Sequence, residues 1–290
     1  MTLVDGVTVG HWTDPEARTG CTVIRFAPAA VASGEIRGGA PASRDFALLD
    51  PRRTVERIDA VVLSGGSAFG LAAGTGVADA LAEEGVGYET RYGDIPIVVG
   101  LSLYDLGVGD PGARPGPEHG RAALAAATPA PASGRVGAGT GATTGKWRGP
   151  DTKDDAGLGI ATITVDDLTV HAIVAVNAVG DIDDGSWPDA VRAGHDVWPA
   201  SDPEPAAEPN TVIGVVVTNA ALDPTGCLVV AQGAHDGLAR AIFPPHMRSD
   251  GDGFVAASVG EVDAPVDQVR MLAVVAVETA IRRSVGSLSG

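Results

Sequence analysis

The sequence predicts an α/β fold in which helices pack on layers of β-sheet. Apolar runs with strand character, such as residues 59–63 and 212–217, recur along the chain, and helical stretches follow at 222–242 and 266–285. Hydrophobic residues make up 44% of the 290 residues but aromatic residues only 4%, so the core must consist mainly of Val, Ala, Leu and Ile. We find no long internal repeat and no break in this pattern, and therefore expect one domain over 1–290.

The first part of the chain is predicted to be rich in strands. Residues 21–26 have the pattern of a short strand, and residues 29–36 are predicted to form its antiparallel neighbour. The paired glycines of Arg37-Gly38-Gly39-Ala40-Pro41 then indicate a turn or a close approach of the backbone. A buried strand at 59–63 leads through a glycine-rich turn into a helix predicted at 71–84.

Two glycine-rich segments could in principle bind phosphate, but neither has the required spacing. Residues 65–70 lack the dinucleotide fingerprint, and residues 141–147 lack both the spacing of a P-loop and the Ser or Thr that follows its Lys. The six histidines show no paired spacing of metal ligands. We therefore expect neither a cofactor nor a metal.

The second half of the chain contains a predicted hairpin and a predicted buried strand. Residues 157–165 and 168–176 should pair as strands that turn at Asp166-Asp167, and an acidic loop should follow over 181–202. The run 212–217 is apolar without alternation, which is typical of a strand buried on both faces.

Asn210 and Thr211 lie where an acidic, proline-rich segment, 201–209, meets this buried strand. A hydroxyl beside a free α-amino group is an N-terminal nucleophile, because the amine serves as its general base. Exposing that amine requires a cut between Asn210 and Thr211: the Thr211 hydroxyl could attack the Asn210 carbonyl, and water could then split the ester. Loop–strand junctions of this kind are also common without any chemistry, so the pair alone leaves both interpretations open.

Polar residues elsewhere could complete such a site. Asn177, at a strand end, could donate its side-chain N–H to an oxyanion, and Lys146 could keep an amine neutral by charge repulsion. Asp250 and Asp252 could orient the hydroxyl or the amine. These residues also have structural interpretations. The two aspartates could simply form a turn, and Tyr104, a further candidate, could be an ordinary core tyrosine.

Charge and composition limit the partners. The chain has 20 basic and 37 acidic residues, a net charge of −17, which argues against a nucleic acid. No window reaches about 18 uninterrupted apolar residues, so we expect no membrane span. The first residues have neither the basic flank nor the apolar run of a signal peptide, and we expect a cytoplasmic protein whose Cys21 and Cys227 are free thiols.

Five motifs are distributed along the chain: Arg37-Gly38-Gly39-Ala40-Pro41, residues 62–71, Gly139-Thr140-Gly141-Ala142 with Gly145-Lys146-Trp147, Val176-Asn177, and Asn210-Thr211. Taken together, they resemble the family of self-cleaving aminopeptidases of the L-aminopeptidase/D-Ala-esterase (DmpA) type, which includes β-peptidyl aminopeptidases and nylon-oligomer hydrolases. The similarity covers nearly the whole chain.

The resemblance implies a four-layer αββα fold, similar to that of the N-terminal nucleophile hydrolases but connected differently, and a homotetramer. It implies autocleavage into an α fragment, 1–210, and a β fragment, 211–290. The implied substrate is a small peptide or another linear amide. The implied site residues are Thr211 as nucleophile, Asn177 for the oxyanion, and Lys146, Tyr104, Asp250 and Asp252 in supporting roles.

Alternative activities remain open. Many members of the family have Ser as nucleophile, and the Asn-Thr pair is closer to the nylon-oligomer branch, so an endo-amidase is one alternative. A second is an acyltransferase similar to ornithine acetyltransferase, which also self-cleaves before a Thr; acetyl transfer from acetylornithine to glutamate would identify it. A third is an uncleaved, non-enzymatic homologue, which would run as an intact chain on a denaturing gel.

Overall fold

The computed structural model describes residues 2–195 and 210–286, with only the backbone of Pro150 and Gly286. The predicted acidic, proline-rich segment 201–209 and the end of the predicted loop 181–202 lie outside these residues. The strands are β1 (Val7–Asp14), β2 (Thr19–Ile36), β3 (Ala42–Arg44), β4 (Arg57–Ser64), β5 (Val98–Ser102), β6 (Thr143–Thr144), β7 (Asp154–Asp155), β8 (Leu158–Val165), β9 (Leu168–Asn177), β10 (Asp181–Ile182), β11 (Thr211–Ala220), β12 (Ile242–Phe243) and β13 (Gly253–Val262). The α-helices are α1 (Ser67–Gly70), α2 (Ala73–Glu83), α3 (Pro117–Ala125), α4 (Ser186–Arg192), α5 (Pro224–Ala241) and α6 (Val266–Gly286).

Nine of the described strands form one continuous sheet, which the long strand β2 divides into two parts that are called the two sheets below. The prediction of two antiparallel strands at 21–26 and 29–36 is wrong, because both segments belong to this one strand. The first part of β2 pairs with β1 and β4, its register against β4 shifts between Arg25 and Ala30, and its last part pairs with β13. Pro28, which has no N–H to give to a ladder, lies at this shift. The strand therefore changes partners there instead of turning back.

The two sheets extend from β2 in opposite directions. One has the order β2-β4-β5-β3, with β1 also paired to β2, and the other has the order β2-β13-β11-β9-β8. The neighbours β4 and β5 are parallel, as are β11 and β13, and the remaining pairs of this ladder are antiparallel. A parallel pair needs a crossover connection, and helices α2 and α5 lie in the two connections concerned.

Three apolar clusters separate the layers. Adjacent residues of one strand point to opposite faces: Val62 packs with α2 and α3, whereas Leu63 enters the cluster between the sheets. In the second sheet Val215 enters the same central cluster, and Val216 packs against α5 and α6. The order of layers is helix, sheet, sheet, helix, so the predicted αββα fold is confirmed. This double burial explains why the strands carry continuous apolar runs instead of an alternating pattern.

Several predicted elements are present close to their expected bounds. The hairpin of β8 and β9 is antiparallel and turns at Asp166, and β11 is buried over nearly its whole length. Helices α2, α5 and α6 match the predicted helices to within a few residues. The predicted loop 181–202 instead contains β10 and α4 in its described part. Among the described helices, none is both long and apolar enough to cross a bilayer.

Candidate active site

The junction between Asn210 and Thr211 is buried, with each residue only 3% exposed. Thr211 Oγ1 donates a hydrogen bond to the main-chain carbonyl oxygen of Asn210, the residue before it. The main-chain N–H of Gly251 donates to the same oxygen at 2.7 Å. The hydroxyl of Thr211, the first residue of β11, thus contacts the carbonyl oxygen of the residue before it. The N–H of Gly251 is a second donor that polarises the same carbonyl.

Asn177 lies opposite Thr211 in the ladder of β9 and β11. Its fully buried side chain accepts hydrogen bonds at Oδ1 from Thr143 N, at 3.0 Å, and from Lys146 Nζ, at 2.9 Å. Its Nδ2 donates to the carbonyl oxygen of Tyr104 at 2.8 Å. Since an amide nitrogen carries two N–H donors, this bond occupies one of them. The register of the sheet therefore brings the predicted oxyanion donor to the predicted nucleophile.

Lys146 connects two parts of the site. It begins a short 3-10 turn after Gly145, which adopts a left-handed conformation with φ of 77°. Besides Asn177, its ammonium group contacts Thr143 Oγ1 at 3.0 Å. Its charge also reaches Asp250 and acts to lower the pKa of that carboxyl. The glycine-rich segment before Lys146 thus directs its ammonium group to protein oxygens of the site.

Asp250 and Asp252 approach the junction from the loop before β13. Asp252 Oδ1 accepts the main-chain N–H of Val212 at 2.7 Å. Asp250 accepts main-chain N–H groups from Val179, at 3.2 Å, and Met247, at 2.9 Å. Burial, followed by the neighbouring charge of Asp252, raises the pKa of Asp250 to about 8. Both causes favour the protonated form of the Asp250 carboxyl.

The Arg37-Gly38-Gly39-Ala40-Pro41 segment holds this acidic loop in place. Arg37 N donates to Asp252 O at 3.0 Å, and Ala40 N donates to Asp250 O at 2.8 Å. A Cβ added at Gly38 would lie 2.3 Å from both Asp250 O and Asp252 N. Only glycine allows so close an approach of the two backbones, which explains the paired glycines of the motif.

A second glycine turn supports Tyr104. The carboxylate of the adjacent, buried Asp105 accepts hydrogen bonds from Thr19 Oγ1 and from Gly66 N, each at 2.7 Å. Burial raises the pKa of Asp105. A Cβ added at Gly65 would lie 2.0 Å from Asp105 Oδ2, so the turn after β4 must be glycine to pack on this carboxylate. The turn thereby fixes the main chain whose carbonyl binds Asn177.

The structure brings all the predicted site residues together, although Tyr104 joins the described hydrogen bonds through its main-chain carbonyl. Their catalytic roles remain predictions. The sequence did not indicate Gly251, whose contribution is a main-chain N–H, or His246, whose Nδ1 lies 2.8 Å from Asp252 Oδ2. A glycine between two acidic residues was the signal that could have drawn attention to this loop. In the described ranges, no group of three or more His, Cys, Asp or Glu side chains is arranged to hold a metal ion.

Comparisons with known proteins agree on one family. The model of peptidase family S58 matches residues 1–287. An uncharacterized aminopeptidase of Mycobacterium leprae is 39% identical over 294 residues, covering 91% of this chain and 79% of that protein. A 6-aminohexanoate-oligomer endohydrolase of Paenarthrobacter ureafaciens is 32% identical over 281 residues, covering 90% of this chain and 75% of that protein.

Solved structures share the fold. The L-aminopeptidase D-Ala-esterase/amidase of Ochrobactrum anthropi, described as a variant of the Ntn-hydrolase fold, superposes with a TM-score of 0.73 at 22% identity. The match covers 98% of this chain and 86% of that one. A Burkholderia β-aminopeptidase superposes with a TM-score of 0.72 at 23% identity, covering 96% of this chain and 83% of that one.

Proposed function

This chain belongs to peptidase family S58 and is a hydrolase of amide bonds; on that premise we propose that Thr211 is its nucleophile, exposed by autocleavage between Asn210 and Thr211. The observation that carries the proposal is the buried carbonyl of Asn210. Its oxygen accepts hydrogen bonds from Thr211 Oγ1 and from Gly251 N. The attacking group and a donor that stabilises developing negative charge are thus already in place at one peptide bond.

Self-cleavage proceeds in two steps. Thr211 Oγ1 attacks the Asn210 carbonyl carbon as its proton is removed, and negative charge develops on the oxygen that Gly251 N already contacts. The C–N bond breaks and the proton passes to the leaving nitrogen, which gives an ester between Asn210 and the Thr211 side chain. Water then hydrolyses the ester, leaving a carboxylate on Asn210 and a free α-amine on Thr211. The products are the fragments 1–210 and 211–290.

Substrate hydrolysis uses the same hydroxyl. The free α-amine of Thr211 accepts the hydroxyl proton as Oγ1 attacks the substrate carbonyl, and it returns the proton to the leaving amine. Water hydrolyses the resulting acyl-enzyme. The second N–H of Asn177 and the positive charge of Lys146 are the groups that we assign to the oxyanion and to keeping the amine neutral.

We propose a small peptide or another linear amide as substrate. The relative at 39% identity is named an uncharacterized aminopeptidase, which favours release of an N-terminal residue. The relatives at 32% identity named 6-aminohexanoate-oligomer endohydrolases favour internal cleavage of a linear oligoamide as the second candidate. The masses of the products formed from an aminoacyl anilide and from a 6-aminohexanoate oligomer distinguish release of an N-terminal residue from internal cleavage. The homotetramer and the cytoplasmic location remain predictions, and the native mass would test the first.

The test replaces the nucleophile. Thr211→Ala should give one intact, folded and inactive chain, whereas wild type should give the fragments 1–210 and 211–290 on intact-mass analysis. Thr211→Ser retains the hydroxyl and should retain part of both activities. Thr218→Ala is the matched control, because Thr218 is buried on the same strand and donates to Thr169 O at the end away from the junction. An Ala variant at 211 that still splits at this bond, or hydrolyses substrate at the wild-type rate, would exclude Thr211 as nucleophile.

A further inference from the structure

His246 lies beside the acidic loop, between β12 and β13, with no part in the reactions described so far. Its Nδ1 is 2.8 Å from Asp252 Oδ2, and that carboxylate is only 2% exposed. The other oxygen of Asp252 accepts the N–H of Val212, which directly follows Thr211 in the chain. A continuous line of hydrogen bonds therefore leads from the imidazole to the residue next to the nucleophile.

We propose that His246 is a positioning residue: its Nδ1–H holds the Asp252 carboxyl in the orientation that anchors the start of β11. This inference rests on the proposed function, because it takes Thr211 as the group whose position matters. With one oxygen bound to the imidazole and the other to the strand, Asp252 cannot rotate without breaking a buried hydrogen bond. Such bonds are costly to lose where water cannot replace them.

The surroundings of the imidazole select its tautomer. His246 Nε2 is buried, and no hydrogen-bond partner for it is found in the described part of the chain. A proton on Nε2 would therefore be an unsatisfied buried donor, whereas a proton on Nδ1 meets a carboxylate oxygen. The neutral ring with its proton on Nδ1 leaves no donor unsatisfied.

The same contacts distinguish the two carboxyl groups. Two neighbouring buried carboxyl groups cannot both carry a charge at low cost, and N–H donors stabilise the charged form. Asp252 has the imidazole as a side-chain donor in addition to a main-chain N–H. Among the described residues, Asp250 receives hydrogen bonds only from main-chain donors, and its pKa is raised by burial and by the charge of Asp252. His246 thus adds a side-chain donor to the carboxyl group of the pair that holds β11.

The position of His246 is itself fixed by its neighbours. The ring packs edge to face against His235, with centroids 5.0 Å apart, and His235 packs in the same way against Phe254. The backbone of His246 is left-handed, with φ of 53°. This conformation is uncommon outside glycine but is tolerated by Asn. The loop therefore holds the imidazole against Asp252 at some conformational cost.

The test uses two replacements that both tolerate the left-handed backbone. His246→Asn keeps an N–H donor near the position of Nδ1, and His246→Gly removes it. We expect the Gly variant to lose up to about 100-fold in the rate of self-cleavage and in kcat, because a reacting group misplaced by about 1 Å can cost that much. KM should change little, because the proposed role of His246 is to position Asp252 and not to bind the substrate. The Asn variant should recover most of the rate.

The outcomes separate this inference from the proposed function. A Gly variant with the wild-type cleavage rate and kcat overturns the inference, and so does an Asn variant as impaired as the Gly variant. Should the Gly variant not fold, His246→Gln replaces it, because Gln fills the space but places its amide near the position of Nε2. We expect the same loss of rate in the Gln variant, and a Gln variant with the wild-type rates would overturn the inference. Failure of wild type to cleave, or cleavage by Thr211→Ala, instead contradicts the assignment of Thr211.

Discussion

Asn177→Ala is the substitution whose consequences the structure specifies most fully. The Asn177 side chain is fully buried and bridges three parts of the site: it accepts from Thr143 N and Lys146 Nζ and donates to Tyr104 O. Alanine can replace none of these bonds. The change should therefore lower both the free energy of unfolding and the rates of self-cleavage and substrate hydrolysis.

The loss of stability can be estimated from the groups left without partners. The N–H of Thr143 and the carbonyl of Tyr104 each lose the bond to Asn177, while Lys146 keeps its contact with Thr143 Oγ1. An unsatisfied buried polar group costs about 1–3 kcal/mol, so the two together should cost about 2–6 kcal/mol, with a middle value near 4. A typical domain is stable by about 5–15 kcal/mol. The variant should therefore remain folded, with a clearly reduced urea midpoint.

The loss of rate has a separate cause. If the second Nδ2–H of Asn177 contacts the oxyanion, its removal should lower kcat by about 10²- to 10³-fold. Urea unfolding measures the first effect, and intact-mass time courses and amide hydrolysis measure the second.

The matched control is Asn219→Ala. Asn219 also bridges two main-chain groups, accepting from Thr169 N and donating to Asp167 O, each at 2.8 Å, but at the far end of β11. The Asn219→Ala variant should have a lower free energy of unfolding, but its folded form should cleave itself and hydrolyse substrate at the wild-type rates. Two results would refute the reasoning: an Asn177→Ala variant as stable as wild type, or one that cleaves and hydrolyses at the wild-type rates.

Two further predictions concern pH and backbone packing. Burial lowers the pKa of His171 to about 4 and that of His235 to about 3, below the 6.5 of a free histidine, so the folded state keeps both neutral and stability should fall as pH drops below about 6.5. Urea titrations at pH 7 and pH 5 should show wild type losing about 2 kcal/mol relative to His171→Gln; a stability difference that does not change with pH would contradict this. Gly38→Ala places a Cβ where the main chain of Asp250 lies 2.3 Å away, and it should slow self-cleavage at least ~10-fold while the exposed Gly112→Ala does not. Equal cleavage rates in the two glycine variants would show that the close approach is not needed.

The sequence predicted elements whose signal is local. Helical stretches of sequence located helices α5 and α6, and continuous apolar runs identified strands such as β11 that are buried on both faces. The error at β2 has a physical reason: a change of strand partner at Pro28 resembles a turn in sequence, because both interrupt the ladder. Which sheet a strand joins is decided by pairing with distant residues, and no local pattern encodes it.

The candidate site shows the same limit. Side chains with distinctive chemistry, such as Lys146 and Asn177, could be selected from the sequence, because few other residue types would serve. The N–H of Gly251 could not, since every residue except proline has one and only the fold selects which of them meets the Asn210 carbonyl. The sequence could not indicate His246 either, because only the fold places its imidazole next to Asp252.

Under the proposed mechanism, the Asn210 carbonyl and the substrate carbonyl must occupy one place, because the same oxygen of Thr211 attacks both. The donor on the Asn210 oxygen, Gly251 N at 2.7 Å, then serves self-cleavage first and substrate hydrolysis afterwards. The α-amine of Thr211 differs, since it forms part of the peptide bond in the first reaction and becomes the base only in the second. Changes to the oxyanion donors should consequently slow both reactions together. Changes that act only on the amine should spare self-cleavage, so the ratio of the two rates assigns each side chain to the carbonyl or to the amine.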